Sequence, residues 1–285
     1  MEPSVTELYD QYRKGMIDRR KFVKKLALYA GGTTAALSLL PLLEQNGAKA
    51  AYSPPQAGEI FTGVVKYPGK TGDVIAFLAR PAEQIKYPAV IVIHENRGLQ
   101  PHIRDVTKRM AAEGFLAVAP DALSPFGGTP ENEDEARTKM RELDMDSTTG
   151  DFIAAVKYLE THPLSNGKVG CTGFCWGGGM TNQVAVGAPE LDAAVPYYGA
   201  TPAPEDVPKI KASVMAHYAG NDTRINAGIP AFEEALKKAG VDYQVFIYEG
   251  ASHAFNNDSN PDRYHEEAAK LAWKRTIGFF KEKLK

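Results

Sequence analysis

The chain has 285 residues, with 33 Lys and Arg against 35 Asp and Glu, 44% hydrophobic and 24% charged residues. That balance excludes a disordered chain or a coiled coil and is long enough for one large core. A formal net charge of −2 gives no broad basic surface, so no nucleic-acid partner is expected, and two cysteines supply neither a disulfide framework nor, by themselves, a zinc site.

The first 50 residues differ from the rest. Asp18-Arg19-Arg20-Lys21-Phe22-Val23-Lys24-Lys25 precedes an uncharged stretch over 26–43 and then Ala48-Lys49-Ala50, a small-residue cleavage pattern. This arrangement resembles a twin-arginine export signal, with Asp18 where a Ser or Thr is usual and Val23 where a leucine is. The resemblance implies that residues 1–50 are a signal segment, that the export machinery is a partner, and that residues 51–285 form an exported, periplasmic domain. Without its first 50 residues the chain keeps 25 basic and 30 acidic side chains, a mildly acidic body with no stable membrane insertion. The alternatives are an uncleaved N-terminal anchor and a cytoplasmic protein. The uncharged stretch spans ~27 Å as a helix, just short of a bilayer core.

From Gly58 onward β-branched runs alternate with helical patterns, the signature of a largely parallel sheet covered on both faces. Strands are expected over 59–67, 73–79, 89–94, 115–119, 168–172, 193–198, 212–217 and 243–248. Only Pro68-Gly69-Lys70-Thr71-Gly72 separates the first two. That is too short for a crossover, so an antiparallel hairpin at a sheet edge is expected. Helices are expected over 102–114, 131–142, 147–161, 176–188, 227–239 and 262–283. The fold class is α/β, with about eight strands in one domain.

The strand over 168–172 runs into Gly173-Phe174-Cys175-Trp176-Gly177, of the form Gly-x-nucleophile-x-Gly. Glycines flank the central residue because a sharp strand-to-helix turn leaves no room for neighbouring side chains. Cys175 then projects from the carboxyl edge of the sheet, beside the N–H groups of a helix start. A glycine-rich turn also occurs in dinucleotide-binding folds, but no Gly-x-x-x-x-Gly-Lys-Ser/Thr or opening Gly-x-Gly-x-x-Gly is present. Downstream, Gly220-Asn221-Asp222 follows one strand and Ser252-His253-Ala254-Phe255 follows the last. Nucleophile, acid and His in that order match the α/β-hydrolase arrangement, with His253 as the base and Asp222 fixing its tautomer.

His94-Glu95-Asn96-Arg97-Gly98 lies at the strand end from which such a fold supplies its second oxyanion donor. The backbone N–H groups of Asn96 and Trp176 are therefore expected to form the oxyanion hole. Glu95 faces the site and should disfavour a resting thiolate. The His residues show no metal spacing, and Cys171 reads as core packing. Neither a metal nor an organic cofactor is called for.

These residues, together with Ala119-Pro120-Asp121, Ser165-Asn166-Gly167-Lys168-Val169-Gly170 and Tyr197-Tyr198-Gly199, resemble the dienelactone hydrolase family over residues 58–284. The resemblance implies an α/β-hydrolase fold, a small-molecule lactone or ester substrate of the carboxymethylenebutenolidase type, and Cys175, Asp222, His253 and Glu95 in the catalytic roles. The family's chlorocatechol-route enzymes hold a substrate carboxylate with an arginine four residues after the catalytic His, where this chain has Asn257. Arg137 lies out of register with their second carboxylate ligand. Arg97, Tyr198 and Asn257 are the candidate substrate contacts, with a surface ion pair as the alternative for Arg97. The expectation is a hydrolase acting through a thioester. A broad carboxylesterase or thioesterase, or a binding or redox-sensing protein that uses Cys175 without turnover, are the other readings.

Overall fold

The computed structural model describes residues 58–285 throughout and, before them, residues 8, 11, 12, 17 and 19–30. Two compact units divide the chain, Met1–Pro55 and Gln56–Lys285. In the first, helix α1 (Arg19–Ala30) begins at the paired arginines, and the rings of Tyr12 and Phe22 stack with centroids 4.8 Å apart. Most of the uncharged stretch and the Ala48-Lys49-Ala50 pattern lie outside the described residues. No described helix is long and apolar enough to cross a membrane.

The second unit is built on β1 (Ile60–Pro68), β2 (Asp73–Pro81), β3 (Tyr87–Ile93), β4 (Leu116–Pro120), β5 (Ser165–Phe174), β6 (Ala193–Tyr197), β7 (Ser213–Ala219) and β8 (Tyr243–Tyr248). Its helices are α2 (Pro101–Ala112), α3 (Glu133–Arg141), α4 (Met145–Glu160), α5 (Trp176–Gly187), α6 (Thr223–Asn226), α7 (Ile229–Ala239) and α8 (Glu266–Lys283). The eight strands form one sheet in the order β1-β2-β4-β3-β5-β6-β7-β8. β1 and β2 are the expected antiparallel edge hairpin, β2 meets β4 antiparallel, and every other pairing is parallel.

β3 and β4 carry no charged or hydrogen-bonding side chain apart from the Tyr87 hydroxyl, because both their faces are covered. Along β3, Ala89, Ile91 and Ile93 enter one core with Phe152 and Leu159 of α4, Val184 of α5 and Leu236 of α7. The intervening Val90 and Val92 enter the other core with Val106 of α2 and Phe280 of α8. β4 repeats the alternation, Leu116 and Val118 to the first core, Ala117 and Ala119 to the second. This is the period-two geometry of a strand with no solvent face. The structure therefore has the α/β-hydrolase architecture, an eight-stranded, mostly parallel sheet between two helical layers.

Element ends depart from the sequence reading by local chemistry. The helix expected from 102 starts at Pro101, where the missing N–H costs nothing. The last helix starts at Glu266 rather than 262, because the His265 side chain accepts the Ala268 N–H as its cap. The acidic run near 131–135 is a helix start, capped by Asn132, with Glu133, Asp134 and Glu135 in the first turn where the dipole favours negative charge. The four-residue helix α6 has too short a pattern to be read from sequence.

Candidate active site

Parallel register brings the strand ends that matter to one edge. Ile93 of β3 pairs with Gly173 of β5, Phe174 with Tyr197 of β6, Tyr197 with His217 of β7, and Ala219 with Tyr248 of β8. Glu95 and Cys175 thus each stand two residues beyond a paired position, and the loops bearing Asp222 and His253 follow adjacent strands.

Cys175 takes φ 57° and ψ −113°, a left-handed conformation that a side chain rarely adopts and that marks a strained turn. Crowding explains why glycines surround it. A Cβ on Gly173 would lie 2.2 Å from the Gly177 carbonyl oxygen, and one on Gly177 would lie 2.4 Å from that of His94. Farther along, one on Gly178 would lie 2.3 Å from the Tyr197 oxygen. Strand, turn, helix and the neighbouring strand end touch through backbone alone.

Burial pushes the Cys175 thiol up to about 11; the Glu95 charge adds to the rise, and a hydrogen bond from the Trp176 N–H opposes it. At neutral pH the sulfur is therefore a neutral thiol. Cys171, four residues upstream, is fully buried, and desolvation raises its thiol to about 12. Both cysteines are free, and Cys171 packs in the core beside the Thr181 hydroxyl.

His253 and Asp222 are hydrogen-bonded, Nδ1 to Oδ2, at 2.5 Å. Asp222 is 8% exposed and His253 20%, so the pair is shielded yet the ring reaches the surface of the site. Asp222 also caps α6 by accepting the Ile225 N–H. The pairing leaves Nε2 of His253 free, with no hydrogen bond between it and the sulfur among the described residues. The ring packs against Tyr198 at 5.1 Å between centroids. Tyr198 is itself buried, with φ 36°. Burial, followed by the charges of Glu95 and Cys175, holds its hydroxyl well above the usual phenol range.

Asn257, expected at the substrate, is 8% exposed and donates Nδ2 to Glu95 Oε2 at 3.0 Å. Its own Oδ1 accepts from Ser259 N–H and Oγ. Arg97, also expected to meet substrate, is turned outward into an exposed ion pair with Glu133 at the start of α3. In both cases a nearby carboxylate takes the donor. Arg137 pairs with Asp134 one helical turn away.

Asn96 lies in the turn after β3, and no described acceptor takes its N–H. Trp176 opens α5, with its ring between His94, stacked at 5.4 Å, and Phe152 at 6.1 Å. Trp176 is thus a wall between the loop and the core. The loop is pinned from below through Gly98, at φ +73°, where a Cβ would lie 2.1 Å from the Thr129 hydroxyl oxygen. That hydroxyl accepts the Leu99 N–H and donates to Asp121. Sequence reading missed the roles of His94 and Thr129, since only a fold places either against this loop. No group of three or more His, Cys, Asp or Glu among the described residues is arranged to hold a metal ion.

The chain matches the family model described as dienelactone hydrolase family over residues 74–284. It is 34% identical over 239 residues to a candidate carboxymethylenebutenolidase of Salmonella typhi, covering 78% of this chain and 88% of the other. It is 38% identical over 205 residues to the protein usf of Aquifex pyrophilus, covering 69% of this chain and 89% of that one. The crystal structure of a candidate dienelactone hydrolase of Klebsiella pneumoniae superposes with a TM-score of 0.70 at 28% identity, covering 78% of this chain and 98% of that one.

Proposed function

The chain belongs to the dienelactone hydrolase family and is a hydrolase, and from that premise we propose that it opens lactones or small carboxylic esters with Cys175 as nucleophile. The supporting observation is the strained Cys175 turn on the same sheet edge as the hydrogen-bonded Asp222–His253 pair. With Nδ1 held by Asp222, the free Nε2 of His253 takes the thiol proton as the sulfur attacks the acyl carbon. The carbonyl oxygen becomes negative and is held by the N–H groups of Asn96 and Trp176. Collapse expels the alcohol, which leaves with the proton from His253, and forms a thioester. Water then attacks the thioester, giving its proton to His253, and the acid departs as the thiol is restored. Burial, reinforced by the Glu95 charge, keeps the sulfur protonated until substrate arrives.

Cys175→Ala tests this reading. Turnover of a small aryl ester should fall by ~10³ or more with the fold intact; near-normal turnover refutes the mechanism.

A second reading, a broad carboxylesterase or thioesterase, draws on one observation. Asn257, which stands where the family's carboxylate-binding arginine would, is engaged by Glu95, and Arg97, the residue expected to replace that arginine, is engaged by Glu133. Comparing esters with and without a carboxylate decides between the two.

Export by the twin-arginine route is proposed from Arg19-Arg20 and the following sequence. An N-terminus at Ala51 in exported protein supports it, and an intact Met1 there refutes it.

A further inference from the structure

His94 directly follows β3 with no exposure to solvent, an unusual place for an imidazole unless both nitrogens are satisfied. Nδ1 lies 2.7 Å from the carbonyl oxygen of Glu95. Nε2 lies 3.1 Å from the backbone nitrogen of Ala122, in the loop after β4. An amide nitrogen can only donate and a carbonyl oxygen can only accept, so the geometry leaves one assignment. Nδ1 carries the proton and donates to Glu95, and Nε2 is bare and accepts from Ala122. Burial holds the ring below the usual imidazole range, with the Asp121 charge opposing that fall. A second proton on Nε2 would face an N–H and break the bond to Ala122.

The Glu95 carbonyl is one end of the peptide unit whose other end is the Asn96 N–H. A trans peptide is planar, so its C=O and N–H point in opposite directions and move together. A donor fixed on the oxygen sets where the hydrogen aims. It also polarises the unit, strengthening the N–H as a donor. Rotation of this plane by half a turn would present an oxygen, rather than a hydrogen, to a developing negative charge. The Asn96 residue is exposed in a turn, and among the described residues no other hydrogen bond is made to this peptide unit. The His94 ring also stacks on Trp176 at an interplanar angle of 11°, and Trp176 is the residue proposed to supply the other N–H.

We propose that His94 is a positioning residue that locks the Glu95–Asn96 peptide with its N–H toward the acyl oxygen and, through its stack on Trp176, sets the spacing of the two oxyanion donors. This deepens the proposed hydrolase reading and rests on it.

The first test uses the unaltered protein. With 15N-labelled histidine, His94 should show a protonated Nδ1 and a bare Nε2 at pH 8; the opposite tautomer overturns the lock. The second test uses His94→Phe, which keeps an aromatic face for Trp176 but removes both ring hydrogen bonds, and His94→Asn, whose amide can still donate to the Glu95 oxygen. Loss of one oxyanion donor costs about 10²–10³ in kcat. His94→Phe should accordingly lose about 30-fold to 300-fold in kcat on a neutral aryl ester, with KM within about threefold, and His94→Asn should recover to within about tenfold of wild type.

A trifluoromethyl ketone forms a hemithioketal with the Cys175 sulfur and places its oxygen where the oxyanion forms. Its affinity should weaken in His94→Phe by a factor comparable to the kcat loss. Alkylation of Cys175 by iodoacetamide, which forms no oxyanion, should change by less than about threefold. A merely structural role predicts equal losses in all three, tracking the fraction of active sites. Equal losses, or an unchanged kcat and ketone affinity in His94→Phe, overturn the proposal. If His94→Phe does not fold, the tautomer measurement and His94→Asn stand alone, and a His94→Asn protein that binds ketone no better than a Cys175→Ala protein overturns it. A wild type that neither turns over ester nor binds the ketone overturns the hydrolase reading itself, whereas an active wild type beside an unaffected His94→Phe overturns only the lock.

Discussion

Asn257 donates its side-chain amide to the Glu95 carboxylate at 3.0 Å although 162 residues separate them in the chain. A neutral amide satisfies the oxygen without cancelling its charge, so Glu95 still acts on the thiol at the adjacent strand end. The consequence is a sulfur held protonated first by burial and further by a carboxylate that has a partner but no counter-cation in that bond.

The thiol should therefore respond to removal of that charge. In substrate-free protein, alkylation of Cys175 should rise about tenfold per pH unit on approach to its value of about 11. Because the Glu95 charge raises the thiol, Glu95→Gln should move the alkylation profile to lower pH and speed the reaction at pH 8. Iodoacetamide kinetics with Cys175→Ala as the blank measure this, and an unmoved profile would show that Glu95 does not set the resting state.

Replacing Arg97 by Ala should leave kcat/KM unchanged within about twofold on both carboxylate-bearing and neutral esters, and stability within about 0.5 kcal/mol. The guanidinium is spent on an exposed pair with Glu133, and such pairs contribute little. A selective loss on carboxylate-bearing substrates would restore Arg97 to the substrate.

Two glycines should respond in opposite ways to alanine. Gly177→Ala drives a Cβ to 2.4 Å from one carbonyl oxygen and 2.5 Å from another, and should cost about 1–3 kcal/mol or prevent folding. Gly278 lies in α8 with nothing within 4 Å of its absent Cβ; Gly278→Ala should add about 0.4–1 kcal/mol. Urea midpoints read both.

Acid should destabilise the protein through His217. This ring is fully buried, with Nδ1 hydrogen-bonded to the Tyr248 hydroxyl and Nε2 to Thr276, and desolvation lowers it to about 3. An unfolded histidine titrates near 6.5, so between about pH 6.5 and pH 3 the unfolded chain binds the extra proton and the folded one does not. The contribution is complete above pH 6.5 and is lost as pH falls, by on the order of 4 kcal/mol at pH 3. Urea unfolding at pH 7, 5 and 4 should show the decline, with a shallower slope in His217→Asn.

The fold and the order of the candidate site were legible because they are written in local terms. Unbroken β-branched runs such as Val90-Ile91-Val92-Ile93 read as strands buried on both faces. The glycines around Cys175 announce a turn that backbone contact alone can close. Partner choice was not legible. Nothing in the spacing of Arg97 says that Glu133 is its nearest acid, and nothing near Asn257 says that its amide reaches Glu95, because each pairing is decided by which strand ends the register brings together. His94 carried no signal of its own for the same reason. A lone imidazole before Glu95 reads as packing until the amide of Ala122 is seen on its far side.

The crowding around the nucleophile turn also bears on how this scaffold can diversify. Gly173, Gly177 and Gly178 are fixed by oxygen atoms of the main chain, which no compensating side-chain change can move aside, whereas position 175 imposes the same backbone cost on any residue with a Cβ. Descendants of such a sequence are free to exchange one attacking atom for another at that single site while inheriting the surrounding bend unaltered, so reactivity can drift without renegotiating the architecture.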